Sequence, residues 1–68
     1  MPNIILNEKN VDSPDGDNLL SFLQARNIPV ENLILEFNGQ ILTGKDPLGT
    51  ILLKDGDTLN LFSMVGGG

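Results

Sequence analysis

The 68-residue chain contains no cysteine, no histidine, no tryptophan and no tyrosine. Each absence removes chemistry. Without cysteine there is no disulfide framework and no thiol nucleophile. Without histidine or cysteine, the usual zinc sites and the Ser-His-Asp arrangement are excluded. Positive charge is scarce: Lys9, Arg26, Lys45 and Lys54 stand against nine Asp and Glu residues, a formal net charge of −5. The four are scattered, so no basic stripe is available to displace counterions from a nucleic acid. An anionic membrane surface is disfavoured for the same reason. Long apolar runs are missing as well. The longest, such as Ile4-Ile5-Leu6 and Leu33-Ile34-Leu35, are three residues, whereas a membrane-spanning helix needs about 20. No signal-peptide pattern opens the sequence, so the expected location is the cytoplasm.

What remains is a small apolar and acidic chain. Its length fits one domain, because a second would need roughly 100 residues of its own. A fold of this size buries only about 60% of the surface its unfolded chain exposes, which leaves little room for a deep active site. These limits favour a binding or carrier module over an enzyme. The negative charge suits an electropositive protein partner through steering, and it equally well serves solubility alone.

The local patterns give an element order. Residues 3–7 read as a strand, Asn7-Glu8-Lys9-Asn10 as a turn, and Val11-Asp12 as the start of a return strand. Ser13-Pro14-Asp15-Gly16 is a turn in which proline presets φ and glycine accepts a positive one. A helix is expected over residues 17–27, with Asp17 as its N-cap and Leu19, Leu20, Phe22 and Leu23 as its buried stripe. Arg26 suits the C-terminal end of the dipole, Asn27 ends the helix, and Pro29 blocks its continuation. Leu33 to Phe37 reads as a strand, Asn38-Gly39 as a hairpin turn, and Gln40 to Leu42 as the returning strand. Residues 43–47 form a loop, Leu48 to Leu53 a 3₁₀ turn or coil, and Lys54-Asp55-Gly56-Asp57 another turn. Thr58 to Val65 is the last strand, with Leu59 and Leu61 on one face and Asn60, Phe62 and Met64 on the other.

One helix covers one face of such a sheet and leaves the other open. The expected class is therefore α+β, a mixed four- to five-stranded sheet with one main helix on one face. The first and last strands have the clearest alternation and could lie side by side at the centre, an order that rests on the family resemblance given below. The helix then rests on Ile4, Leu6, Leu59 and Leu61.

The sequence ends in Gly66-Gly67-Gly68. Such a tail is either a frayed end or a functional one. Glycine permits close backbone approach where any Cβ would clash, and residues 65–68 reach at most roughly 13–14 Å when extended. A short glycine tail directly after an apolar strand therefore suits insertion into another protein's active site. A terminal carboxylate becomes electrophilic only when an enzyme couples it to AMP, after which a sulfur nucleophile displaces the AMP and leaves a thiocarboxylate.

Three segments carry a family resemblance: Phe37-Asn38-Gly39-Gln40-Ile41, Leu53-Lys54-Asp55-Gly56-Asp57-Thr58-Leu59, and Phe62-Ser63-Met64-Val65-Gly66-Gly67-Gly68. In their order and spacing the chain resembles the ThiS sulfur carriers of thiamine biosynthesis, within the ThiS/MoaD ubiquitin-like group, over essentially its whole length. The resemblance implies a β-grasp domain over residues 1–65 with a flexible glycine tail at 66–68. It implies a protein co-substrate with no bound cofactor. An E1-like adenylyltransferase of the ThiF type spends ATP to adenylate the Gly68 carboxylate. A donor such as a cysteine desulfurase supplies sulfur, and the Gly68 thiocarboxylate feeds a thiazole synthase of the ThiG type. Gly66 and Gly67 would thread the partners' active sites. A third glycine, where the family is defined by two, is a departure at Gly66.

Phe62 and Met64, joined by Ile5 and Ile34, are expected on the open sheet face as a docking surface for those partners. The Asp12, Asp15 and Asp17 cluster and the Asp55-Gly56-Asp57 turn lack the other ligands of a calcium loop, so no metal site is expected. The rival readings are the MoaD-type small subunit of molybdopterin synthase, another ubiquitin-like sulfur carrier or protein modifier, and a plain interaction domain with an inert tail. MoaD-like chains tend to be longer and to carry prolines before the terminus. Leu61-Phe62-Ser63-Met64 stands there instead.

Overall fold

The computed structural model describes residues 1–62. These residues form five strands, one helix and one 3₁₀ turn, in order. They are β1 (Asn3–Leu6), β2 (Lys9–Asp12), α1 (Leu19–Ala25), β3 (Ile34–Phe37), β4 (Gln40–Thr43), the 3₁₀ turn Leu48–Thr50, and β5 (Thr58–Leu61). The strands form one mixed sheet in the order β2-β1-β5-β3-β4. β1 and β5 are parallel, and every other neighbouring pair is antiparallel. The first and last strands thus share the centre, as the family resemblance implies, and the sheet has five strands among the described residues.

Two hairpins are closed by asparagine. Asn38 (φ 49°) and Gly39 (φ 86°) join β3 to β4. Asn7 (φ 48°) and Glu8 (φ 71°) join β1 to β2 in a two-residue turn. Positive φ at both positions twists the backbone in the sense that flanking strands need. Asparagine accepts this conformation at low cost because its short amide bonds locally. The first turn is therefore two residues, not the four expected, and Lys9 and Asn10 already belong to β2.

The helix is shorter than 17–27, and its cap is Asn18, not Asp17. Asn18 has extended backbone (φ −113°, ψ 166°), and its Oδ1 accepts the Ser21 N–H at 2.8 Å. Asp17 is held elsewhere: its carbonyl accepts the Leu53 N–H at 3.0 Å, and its own N–H donates to the Pro14 carbonyl at 3.2 Å. The far end closes as expected. Asn27 is left-handed (φ 59°). The Asn27 N–H donates to the Gln24 carbonyl and the Ile28 N–H to the Leu23 carbonyl, both at 3.0 Å. This is a Schellman closure with asparagine in glycine's place. Arg26 lies over the Phe22 ring, 4.9 Å from its centroid.

Leu19, Phe22 and Leu23 of α1 are buried with Ile4, Leu33, Leu35, Leu42, Leu48, Leu53 and Leu59. Leu6, Leu20, Phe37 and Leu61 are half-buried against them. At about 25 cal/mol per Å² of apolar surface removed from water, burial of this set is the main favourable contribution to folding. Gly44 seats the α1–β3 connection beside the end of β4: a Cβ there would lie 1.8 Å from the Val30 carbonyl oxygen. Among the described residues, no helix is long and apolar enough to cross a membrane.

Candidate functional site

The site is the end of β5, the last element of the described residues. Asn7 braces it twice. Its N–H donates to the Leu59 carbonyl at 2.8 Å, and its side-chain Oδ1 accepts the Leu61 N–H at 2.9 Å. Beyond Leu6 the β1 backbone has turned away into β2, so the Asn7 amide supplies the acceptor that the strand no longer offers. On the other flank the Phe62 N–H donates to the Ile34 carbonyl at 2.8 Å. The end of β5 is therefore held on both flanks, Leu61 by the Asn7 side chain and Phe62 by the first residue of β3.

The start of β5 is held as firmly. Asn38 Nδ2 donates to Asp57 Oδ1 at 2.9 Å, and Asn38 Oδ1 accepts the Thr58 N–H at 2.8 Å. The other Asp57 oxygen accepts the Lys54 N–H at 2.7 Å. Asp55 Oδ1 accepts the Asn3 N–H at 2.7 Å. The two acidic residues of the Asp-Gly-Asp turn are thus spent on backbone and amide donors. Among the described residues, no group of three or more His, Cys, Asp or Glu is arranged to hold a metal ion.

The sheet face away from α1 carries the apolar candidates. Phe62 is 56% exposed and Ile34 46%. The bond from Phe62 to Ile34 continues the register that pairs Leu35 with Leu61, so these two residues are brought together. Ile5 is not placed with them. The parallel register sets it against Thr58, four positions back along β5 and about 13 Å from Phe62 at the usual strand rise. Ile41 is a member the sequence reading missed. It is 58% exposed and sits opposite Glu36, diagonal to Ile34. The signal was present: in Gln40–Thr43, Leu42 must face the core, which turns Ile41 outward. Between the apolar groups, Asn60 Nδ2 donates to Glu36 Oε1 at 3.2 Å. Met64, Gly66, Gly67 and Gly68 lie outside the described residues.

A shallow cleft on the helix side is lined by Asp12, Pro14, Asp17, Phe22, Ala25 and Arg26. It holds charges of both signs and no nucleophile.

The ThiS family model matches residues 3–68. Two solved structures of a thiamine biosynthesis protein from Geobacter metallireducens are similar to the chain. The crystal structure, described as ThiS, shares 29% sequence identity at a TM-score of 0.76, covering 97% of this chain and 99% of that one. The solution structure shares 29% identity at a TM-score of 0.74, covering 97% of this chain and 87% of that one. No curated protein sequence matches.

Proposed function

The chain belongs to the ThiS family, and from that premise we propose that it is a cytoplasmic sulfur carrier of thiamine biosynthesis, a co-substrate with no turnover of its own. The reactive group is the Gly68 carboxylate. One of its oxygens attacks the α-phosphorus of ATP within an E1-like adenylyltransferase, and pyrophosphate leaves. The terminal sulfur of a persulfide on a donor such as a cysteine desulfurase then displaces AMP, and a thiol cleaves the resulting acyl disulfide, releasing the thiocarboxylate and a disulfide. That thiocarboxylate passes its sulfur to a thiazole synthase. This chain contributes reach and presentation. Gly66 and Gly67 let the backbone enter narrow channels, while Phe62 and Ile34 offer apolar surface beside the exit of the tail.

The observation that carries the reading is that the family match runs through the glycine tail to Gly68. The brace at Leu61 and Phe62 supports it, because a tail that must find a buried site gains from a fixed point of departure.

The test is intact mass after incubation with ATP, an E1-like enzyme and a sulfur donor, followed by a thiol alkylating reagent. The chain has no cysteine to compete. A single ATP-dependent adduct mapping to Gly68 is expected. No adduct, with enzymes shown active on another carrier, would overturn the reading. Alkylation is needed because replacing oxygen by sulfur resembles methionine oxidation in mass.

A further inference from the structure

We propose that Asn38 is a site of spontaneous deamidation that the fold holds in check, through the side-chain bonds that fasten β3 to β5, and whose modification loosens the central strand. Asn38-Gly39 is the one Asn-Gly pair in the sequence. Asparagine before glycine is the most reactive context for intramolecular imide formation, because no Cβ shields the following nitrogen. The Gly39 amide nitrogen attacks Asn38 Cγ, the bond from Cγ to Nδ2 breaks, and ammonia leaves carrying the proton lost from Gly39. Water then opens the cyclic imide at either carbonyl, giving aspartate or isoaspartate. No oxidant or cofactor is required.

Three contacts oppose that attack. Asn38 Nδ2 is held by Asp57 Oδ1 at 2.9 Å, and Asn38 Oδ1 accepts from the Thr58 N–H at 2.8 Å and from Thr58 Oγ1 at 3.4 Å. The backbone adds a fourth, Asn38 N–H to the Thr58 carbonyl at 3.0 Å. Imide closure swings the side chain toward Gly39 and forfeits the side-chain bonds, so it proceeds from a locally opened hairpin. The product does not return to the same seat. A carboxylate at residue 38 has no donor for Asp57, which is 9% exposed and keeps its own negative charge toward the same point. Like charges at this separation repel. Isoaspartate also inserts an extra backbone atom into a two-residue turn. Either product weakens the contact that starts β5.

The test compares the native protein, the same chain in denaturant, Asp57→Ala, and Ile4→Val as a control that weakens the core without touching Asn38. Each is incubated at mildly alkaline pH. The exchange of an amide NH2 for OH is followed by peptide mass mapping and isoaspartate-specific methylation. Modification confined to residue 38 is expected, about tenfold or more slower in the native chain than in denaturant. Asp57→Ala is expected to accelerate it more than Ile4→Val does. Asn38→Asp, made directly, is expected to lower Tm, while Asn38→Ser, which adds no charge, lowers it less. Equal rates in native and denatured chains, equal rates in Asp57→Ala and Ile4→Val, or an Asn38→Asp variant as stable as the native chain would overturn the proposal. None of these readouts depends on sulfur transfer.

Discussion

The Asn7 side chain accepts the backbone N–H of Leu61 at 2.9 Å, across a sequence separation of 54. A turn residue near one end of the chain thus fixes the strand that leads to the other. Asn7→Gly keeps the left-handed backbone and removes the acceptor, so it should cost about 1 kcal/mol, the usual worth of such a bond. Asn7→Ala also strains a φ of 48° and should cost about 1 kcal/mol more. Urea unfolding measures both losses. Amide exchange at Leu61 should rise in both variants, and unchanged exchange there would show that the bond contributes nothing.

Gly44 and Gly49 make a matched pair. A Cβ on Gly44 meets the Val30 carbonyl oxygen at 1.8 Å, whereas one on Gly49 comes no nearer than 3.7 Å to Leu20 Cδ2. Gly44→Ala should lose about 2–3 kcal/mol, as overpacking against backbone does, or fail to fold. Gly49→Ala should stay near the native stability. Similar urea midpoints for the two would contradict the close approach.

The helix cap is read by another pair. Asn18→Ala should cost about 1 kcal/mol through loss of the Ser21 N–H acceptor. Asp17→Ala should cost less, because the Asp17 contacts with Leu53 and Pro14 are backbone contacts that alanine keeps, and its carboxylate loses only a long bond from the Ser13 hydroxyl at 3.5 Å. Thermal unfolding followed by circular dichroism ranks them, and the reverse ranking would restore Asp17 as the cap.

The open face is tested by Ile34→Ser with Phe62→Ser. Both residues are about half exposed, so Tm should change little. Binding to the E1-like enzyme should weaken about tenfold, the loss typical of removing an apolar anchor. Ile5→Ser, away from the patch, should bind nearly as well as the native chain. Native-like binding by the double variant would leave recognition to the tail alone.

Much of this architecture was readable before the structure, for identifiable reasons. Leu19, Phe22 and Leu23 repeat at helical spacing, and Asn38-Gly39 demands positive φ, so the helix and the second hairpin follow from local chemistry. The cap was misread because Asp17 and Asn18 are adjacent and both suit the position. The choice falls to a distant strand-like segment, through Leu19 N–H to the Ile51 carbonyl and Leu53 N–H to the Asp17 carbonyl. Ile5 was grouped with Phe62 because alternation reports which face a residue occupies and says nothing of register. The register comes from Ile5 N–H to the Asp57 carbonyl and Asn7 N–H to the Leu59 carbonyl, contacts that span most of the chain. Ile41 was overlooked although its alternation was plain. The tail reading rests on sequence and family, since Gly66 to Gly68 lie outside the described residues.

The central pairing of β1 with β5 also bears on synthesis. A ribosome delivers the chain from its N-terminus, and among the described strands β5 is the last to emerge. Until it does, β1-β2 and β3-β4 are two separate hairpins with a gap between them, and an isolated hairpin is marginal in water. A product released early, before residue 58, has no means of closing the sheet and remains open to proteases. Closure of the sheet thus waits on β5, the element that joins the two hairpins.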